Sequence, residues 1–206
     1  MEITYHGLSW VRLRGRDTTV VIDPPQAQLP GLARSASSLL VRTEGATDPE
    51  KLRVREGHVQ EVSGPGEFEV RGVSIFGFPA DGVTVMRVTV DDVRVVSAGR
   101  LHRQLTEDEI DALGHVDVLV VPVGGGDGLG AADAAKLVHA VEPAIVVPAR
   151  YRATGGTADY EPVDKFAREM GLAEGSWQAL PRLNLSGASS DSDNDTKVVI
   201  LEARST

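Results

Sequence analysis

The chain contains few side chains of the types that bind metal ions or act as nucleophiles. The 206 residues include five histidines and no cysteine, so a thiolate can be neither a metal ligand nor a nucleophile. No two histidines stand at the HxH or HxxxH spacing that lets neighbouring imidazoles share a metal ion, and no GxSxG motif marks an activated serine. The sequence therefore predicts no catalytic residue of these classes.

Two segments resemble ligand-binding loops only superficially. Residues 124–130 are glycine-rich and lie between a predicted buried strand and a predicted helix, but they lack the Lys-Ser/Thr ending of a P-loop. Residues 191–195, with Glu202 at the twelfth position, imitate a calcium loop, but Thr196 stands where that loop needs glycine. We interpret residues 124–130 as a flexible connection and expect no calcium site.

The composition limits the classes of partner. The chain has 21 basic and 30 acidic residues, and a net charge of -9 disfavours binding to the phosphate backbone of nucleic acids. No apolar run reaches transmembrane length and the N-terminus lacks a signal-peptide pattern, so we expect no membrane partner and a cytoplasmic location. The length fits a single domain over residues 1–206, with a mobile loop at 186–196. The oligomeric state stays open.

Hydrophobic periodicity predicts a strand-rich first half, followed by alternating strands and helices. Expected strands are residues 2–6, 9–14, 18–22, 37–41, 67–70, 73–78, 84–90, 93–97, 117–121, 144–147 and 197–201. Expected helices are residues 107–113, 131–141 and 161–170. Thr106 is the predicted N-cap of the first helix, and Gly171 ends the last.

Six short segments occur in an order and at a spacing that match one known family. They are residues 3–9 (ITYHGLS), 21–24 (VIDP), 64–73 (GPGEFEVRGV), 97–99 (SAG), 120–125 (VVPVGG) and 146–151 (VVPARY). Together they resemble the metallo-β-lactamase superfamily, in the branch of zinc-dependent hydrolases that includes ascorbate-phosphate lactonases. The resemblance implies an α/β fold: a four-layer αβ/βα sandwich of two mixed sheets flanked by helices.

The same resemblance implies a metal site whose ligands this sequence does not retain. In the family, an HxHxDH motif follows the strand that matches residues 37–41, and a bridging aspartate and a last histidine come later. The residues at these positions here are Thr43, Gly45, Thr47, Asp48, Arg100 and Arg150. A guanidinium group stays protonated and repels a dication. We therefore expect no metal cofactor in this chain, although zinc is expected for the family.

Arg100 and Arg150 are expected at the mouth between the two sheets, where a buried guanidinium needs a partner. Nearby acids are one set of candidate partners: Asp23, Glu44, Asp48 and Asp81. The other interpretation is a cleft that binds a phosphate or carboxylate through bidentate hydrogen bonds from both arginines, with His102 and Tyr151 beside them.

Three functions remain open on this basis. The favoured one is a non-catalytic binding or interaction protein, a pseudoenzyme whose partner is a small anionic ligand or a protein. The second is a metal-independent enzyme or sensor that uses Arg100 and Arg150, with His102, on a phosphorylated or carboxylated small molecule. The third is a hydrolase with a rearranged metal site. Its candidate ligands are Asp23, Asp48, Asp81 and His102.

Overall fold

The computed structural model describes residues 1–25, 38–47, 53–54, 57–152, 159–173, 176–185 and 195–204. Its strands are β1 (Glu2–Tyr5), β2 (Val11–Arg14), β3 (Thr19–Ile22), β4 (Ser38–Arg42), β5 (Arg53–Val54), β6 (Gly57–His58), β7 (Gln60–Ser63), β8 (Gly66–Val70), β9 (Val73–Ala80), β10 (Val83–Val90), β11 (Val93–Ser97), β12 (Val118–Pro122), β13 (Ile145–Ala149), β14 (Leu183–Asn184) and β15 (Lys197–Val198). Its helices are α1 (Glu107–Leu113), α2 (Ala131–Val141) and α3 (Val163–Glu169).

A six-stranded mixed sheet has the order β14-β1-β2-β3-β4-β7. Strands β1, β2 and β3 form an antiparallel meander, whereas β3, β4 and β7 run parallel to one another. In β2, Val11 and Leu13 are buried and Arg12 and Arg14 are exposed, so only one face of this strand meets the apolar core.

A seven-stranded mixed sheet has the order β15-β13-β12-β11-β10-β9-β8. Strands β8 to β11 are antiparallel, and β11, β12, β13 and β15 run parallel. All five residues of β12 are buried, as expected for a strand covered on both faces. The carboxyl ends of β11, β12 and β13 therefore meet at one edge of this sheet.

Two apolar clusters define the layers. One lies between the two sheets and includes Ile3 and Leu39 from the first sheet and Val88 and Val120 from the second. The other lies between the seven-stranded sheet and the helices, and buried Phe166 of α3 belongs to it. The prediction of two mixed sheets flanked by helices is confirmed.

Local sequence signals explain where the helices begin. The Thr106 hydroxyl accepts from the Glu109 backbone N–H at 3.3 Å, and the Glu109 carboxylate accepts from the Thr106 N–H at 2.8 Å. This capping box confirms the predicted start of α1. The predicted helix 161–170 is shorter in the structure, because Pro162 is the extended N-cap of α3.

The strands that the sequence did not predict are short or polar. β7 (Gln60–Ser63) buries only Val62, and β14 has two residues. Neither shows the alternation of apolar and polar residues on which a strand prediction rests. The predicted strand 9–14 begins at Val11, because a turn closed by the Trp10 N–H and the Gly7 carbonyl precedes it.

Two other expectations concern membranes and the late loop. Among the described residues, no helix is long and apolar enough to cross a membrane. The predicted mobile loop at 186–196 lies outside the described residues except for its last two positions. There, the Thr196 hydroxyl donates to the Pro143 carbonyl at 2.8 Å.

Candidate functional site

Five polar residues follow the carboxyl ends of parallel strands, and the fold brings these ends to one rim. Asp23 directly follows β3, and Glu44 lies two residues beyond β4. In the other sheet, Arg100, Asp127 and Arg150 follow β11, β12 and β13, respectively. Because neighbouring parallel strands end at the same edge, their following residues converge, as they do at binding sites of α/β sheets.

Close packing of Gly99 on Thr43 joins the two halves of the rim. Gly99 has a φ of +56°, and a Cβ at this position would lie 2.4 Å from Thr43 Oγ1. Only glycine combines this left-handed backbone with so close an approach. Arg100 follows Gly99 and Glu44 follows Thr43, so this contact places Arg100 opposite Glu44.

Arg100 forms a bidentate pair with Glu44, donating from Nε and Nη2 to the two carboxylate oxygens. Its Nη1 also lies 3.3 Å from Asp127 Oδ2. Hydrogen bonds from the guanidinium to Glu44 are the main reason that the pKa of Arg100 is raised above its ordinary value. Arg100 is therefore a fixed cation engaged by two carboxylates.

Arg150 is buried, with only 9% of its side chain exposed. Its Nη2 donates to both oxygens of Asp127, at 2.7 and 2.6 Å, and to the Tyr160 hydroxyl at 2.7 Å. Its Nη1 donates to the Ser9 hydroxyl at 3.2 Å, whereas its Nε is buried and has no hydrogen-bond partner among the described residues. The Tyr160 ring centroid is 5.5 Å from the guanidinium carbon.

Asp127 is thus the carboxylate that links the two arginines, and Tyr160 also donates to it, at 2.9 Å. Partial burial alone raises the pKa of Asp127, but hydrogen bonds from Arg150 and Tyr160 outweigh this effect and hold the pKa at about 2. With Glu44, the group contains two cations and two anions. The network is neutral as a whole.

Asp23 lies at the other end of the rim with a left-handed backbone, φ +47°. It accepts from the Thr43 backbone N–H at 2.9 Å and from the Thr43 hydroxyl at 2.5 Å. Burial raises the pKa of Asp23 to about 6, against the opposing effect of these hydrogen bonds. This carboxyl group therefore titrates close to neutral pH.

A cleft of about 360 Å³ opens beside the network. It is lined by residues 8–10, 23–25 and 42–44 together with Arg100 and Arg150. The side chains combine arginine and carboxyl groups with the apolar surfaces of Leu8 and Trp10. This size lies within the range of small-molecule sites.

The other residues singled out from the sequence are only partly brought together here. His102 is exposed, and the Tyr151 hydroxyl donates to the Leu201 carbonyl at 3.0 Å while its ring stacks on Tyr5. These are the contacts of a packing residue, and a place for Tyr151 in the cleft stays a prediction. The tyrosine that contacts the arginines is Tyr160.

Thr47, Gly45 and Asp48 are the other positions that match the family's HxHxDH motif. Thr47 is buried and accepts from Arg42 Nε at 3.1 Å, and Gly45 is an exposed left-handed residue. Asp48 lies outside the described residues. Asp81 pairs with Arg103 at 2.9 Å and not with Arg100. Of the three candidate acids that the structure describes, Asp23, Glu44 and Asp81, Glu44 is the one that pairs with these arginines.

Asp127 was the functional residue that sequence reasoning missed. The glycine-rich segment 124–130 was interpreted as a flexible connection, yet it carries the carboxylate that bridges Arg100 and Arg150. In sequence this acid follows the strand that comes between those preceding the two arginines, but only the strand order in the sheet makes the three strands neighbours.

The sequence match and the fold together identify the family. The family model of the beta-lactamase superfamily domain matches residues 2–150. The chain belongs to the metallo-β-lactamase superfamily. No curated protein matches the chain in sequence.

Solved structures of this superfamily superpose over almost the whole chain. A protein from Thermotoga maritima, inferred to be a Zn-dependent hydrolase of the superfamily, is 22% identical over 98% of both chains, with a TM-score of 0.77. Igni18, a metallo hydrolase from Ignicoccus hospitalis, is 17% identical over 98% of this chain and 95% of its own, with a TM-score of 0.65. YhfI from Bacillus subtilis is 10% identical over 98% and 96%, at 0.62. At these identities the likeness establishes the fold alone.

The described side chains of this metallo-β-lactamase-fold cleft do not fit a divalent metal ion. Among the described residues, no group of three or more histidine, aspartate or glutamate side chains could hold one. A catalytic zinc site takes about three protein ligands and a water. Here the Thr43 hydroxyl is committed to Asp23, and Arg100 and Arg150 bring two fixed positive charges to the same rim.

Proposed function

We propose that this chain is a non-catalytic binding or interaction protein of the metallo-β-lactamase superfamily, with a small anionic ligand or a protein as its partner. One observation carries the proposal. Asp127 and Glu44 neutralise Arg100 and Arg150, which stand where the sequence resemblance places two of the family's metal ligands.

Electrostatics supports this proposal. A divalent cation entering the cleft would face two guanidinium groups that stay charged at any physiological pH. The acids beside them, Glu44 and Asp127, already accept charge-assisted hydrogen bonds from the arginines. Metal binding would have to break these ion pairs and leave the guanidinium of Arg150 buried without a counter-ion, which is strongly unfavourable.

A rearranged metal site has less support. Among the described candidates, Asp23 is bound by Thr43, Asp81 is bound by Arg103, and His102 is exposed. Asp23 and Asp81 are engaged in separate contacts, and these three side chains do not form a ligand group among the described residues. The third candidate function therefore lacks the convergence of ligands that metal hydrolysis requires.

The second candidate function, a metal-independent enzyme or sensor for a phosphorylated or carboxylated molecule, has one observation in its favour. Arg100 keeps 45% of its side chain exposed and lines the cleft together with Arg150. A ligand could therefore reach at least one guanidinium. The geometry offers no activated nucleophile among the described residues of the rim, so binding is the better supported activity.

An activity screen tests the proposal. Protein supplied in turn with zinc, manganese and iron is assayed on lactone, ester and phosphodiester substrates, with and without chelator. We expect no chelator-sensitive hydrolysis in any condition. Hydrolysis that disappears with chelator, and also disappears in Asp23→Asn or His102→Ala, would refute the proposal in favour of a rearranged site. Hydrolysis that persists in both variants is assigned to a contaminant only if it separates from the protein on a further column.

A further inference from the structure

We infer that the two arginines form a binding site for an external oxyanion, a carboxylate or phosphate group, and that Asp127 is its tethered internal occupant. In this account an incoming anion replaces the Asp127 carboxylate between Arg100 and Arg150. The inference rests on the proposed binding function and assigns the ligand class and the side chain that competes with the ligand.

The donors around Asp127 have the arrangement of an anion site. Arg150 Nη2 contacts both oxygens, Arg100 Nη1 contacts one at 3.3 Å, and the Tyr160 hydroxyl donates to the other at 2.9 Å. Guanidinium groups bind carboxylates and phosphates through such charge-assisted contacts. The same donors can serve any oxyanion of similar size.

The main donor, Arg150, is buried, and the acceptor stands on a glycine-rich segment. Arg150 is 9% exposed, and its backbone N–H donates to the Leu8 carbonyl at 3.1 Å. Asp127, in contrast, is 41% exposed and follows two left-handed glycines, Gly125 and Gly126. Glycine adopts many backbone conformations at little steric cost. If one partner of the ion pair leaves, it is therefore Asp127.

The site also has more donors than Asp127 uses. Arg150 Nε and Trp10 Nε1 are both buried and have no hydrogen-bond partner within the described part of the chain, and both residues line the 360 Å³ cleft. An unsatisfied buried donor is unfavourable, so natural sites that contain one often supply its acceptor from a ligand or water. A phosphate group brings additional oxygen atoms that the aspartate carboxylate lacks, whereas a ligand carboxylate brings the same number of oxygen atoms as Asp127.

The lining of the cleft indicates how a bound ligand would be oriented. Its lining places the apolar surfaces of Leu8 and Trp10 beside Ser9 and the two arginines. Such a lining suits a small organic molecule whose anionic end reaches the arginines while its apolar part remains in the cleft.

Removing the internal carboxylate tests the inference. Binding of inorganic phosphate and of acetate is measured by calorimetry at low ionic strength, in protein freed of metal by a chelating resin, because a soluble chelator is itself a polycarboxylate. We expect Asp127→Asn to bind phosphate at least about tenfold more tightly than the wild-type chain, and Asp127→Asn/Arg150→Gln to lose this gain. The acetate arm shows whether carboxylates share the site.

Asp92→Asn is the matched control. It makes the same chemical change and removes the same charge, but it lies in the turn before β11, at the opposite end of the strand from Arg100. Phosphate binding by Asp127→Asn that is no tighter than that of Asp92→Asn would overturn the inference. So would a gain that survives the Arg150→Gln substitution.

A second variant covers the case in which Asp127→Asn does not fold. Glu44→Gln releases Arg100 from its bidentate partner and should also tighten phosphate binding, by a smaller factor than Asp127→Asn. Unchanged phosphate affinity in Glu44→Gln would then count as failure. Metal content is measured on the same samples, because bound metal would refute the proposed function without altering the phosphate result.

Discussion

Arg150 holds the carboxylate of Asp127 through a single guanidinium nitrogen, with Nη2 2.7 Å from Oδ1 and 2.6 Å from Oδ2. Arg150 follows β13 and Asp127 follows β12, so this pair joins the ends of two neighbouring parallel strands. Arg100, at the end of β11, reaches the same carboxylate and also Glu44 of the opposite sheet. Internal ion pairs thus span the rim of the cleft.

A lysine at position 150 should not reproduce the hydrogen bonds that the Arg150 guanidinium makes. Its Nη2 binds Asp127 while its Nη1 binds Ser9, and one ammonium group cannot reproduce this planar arrangement. We expect Arg150→Lys to lower the free energy of unfolding by about 1–3 kcal/mol. Chemical denaturation of the wild-type chain and of Arg150→Lys measures this loss of stability. The backbone at position 150 is left-handed, with a φ of +51°. Arginine and lysine bear the same backbone strain there, so this contribution cancels in the comparison.

Arg100→Lys is the comparison for this measurement. Because Arg100 is 45% exposed, its ion pairs are screened by solvent, and the loss should stay within about 1 kcal/mol. We therefore rank the buried Arg150 above the exposed Arg100 in its contribution to stability. An equal loss of unfolding free energy in the two variants, or a larger loss for Arg100→Lys, would contradict this ranking.

The buried carboxyl of Asp23 should make stability depend on pH between about 4 and 6. Its pKa is raised by burial from 3.8 to about 6, so the folded state binds the proton more tightly than the unfolded state. The resulting stabilisation is complete below pH 3.8 and is lost as the pH rises through 6. At about 1.4 kcal/mol per pKa unit, the whole effect is on the order of 3 kcal/mol.

Asp23→Asn isolates this contribution. Its amide oxygen can still accept from Thr43 but does not titrate, so the variant should gain stability relative to the wild-type chain as the pH rises from 4 to 7. Denaturation of both proteins at pH 4, 5, 6 and 7 gives the difference. A difference that does not change across this range would mean that Asp23 titrates at its ordinary pKa.

Gly99 should not tolerate a side chain. A Cβ would approach Thr43 Oγ1 to 2.4 Å in a left-handed backbone, so Gly99→Ala combines overpacking with backbone strain. We expect a loss of about 2–4 kcal/mol. Gly82→Ala provides the matched control, because Gly82 also has a positive φ but has open space around its Cβ direction. Similar losses in both variants would show that the contact with Thr43 is unimportant.

Much of the fold could be predicted because its signals are local. The continuous apolar run of β12 and the capping box at Thr106 gave correct elements, and the framework segments indicated the family. Strand β7 was missed because it pairs within the six-stranded sheet on one side only and buries one residue, Val62. Its existence depends on its position next to β4, which no local pattern encodes.

The site could be predicted in part. Arg100 and Arg150 were placed at the mouth because they follow strands that match the family's order. Asp127 was missed because its role depends on β12 lying between β11 and β13, which is tertiary information. For a related reason, the sequence position of Tyr151 next to Arg150 does not reveal that its hydroxyl donates to the Leu201 carbonyl.

Metal content tests the central claim most directly, namely that the arginine-filled rim of this metallo-β-lactamase fold binds no divalent ion. The chain is produced in medium supplied with zinc, manganese and iron, purified without chelator and analysed by elemental mass spectrometry. We predict less than about 0.1 equivalents of any of these metals per chain. About one or two equivalents of bound zinc, manganese or iron per chain would contradict the account.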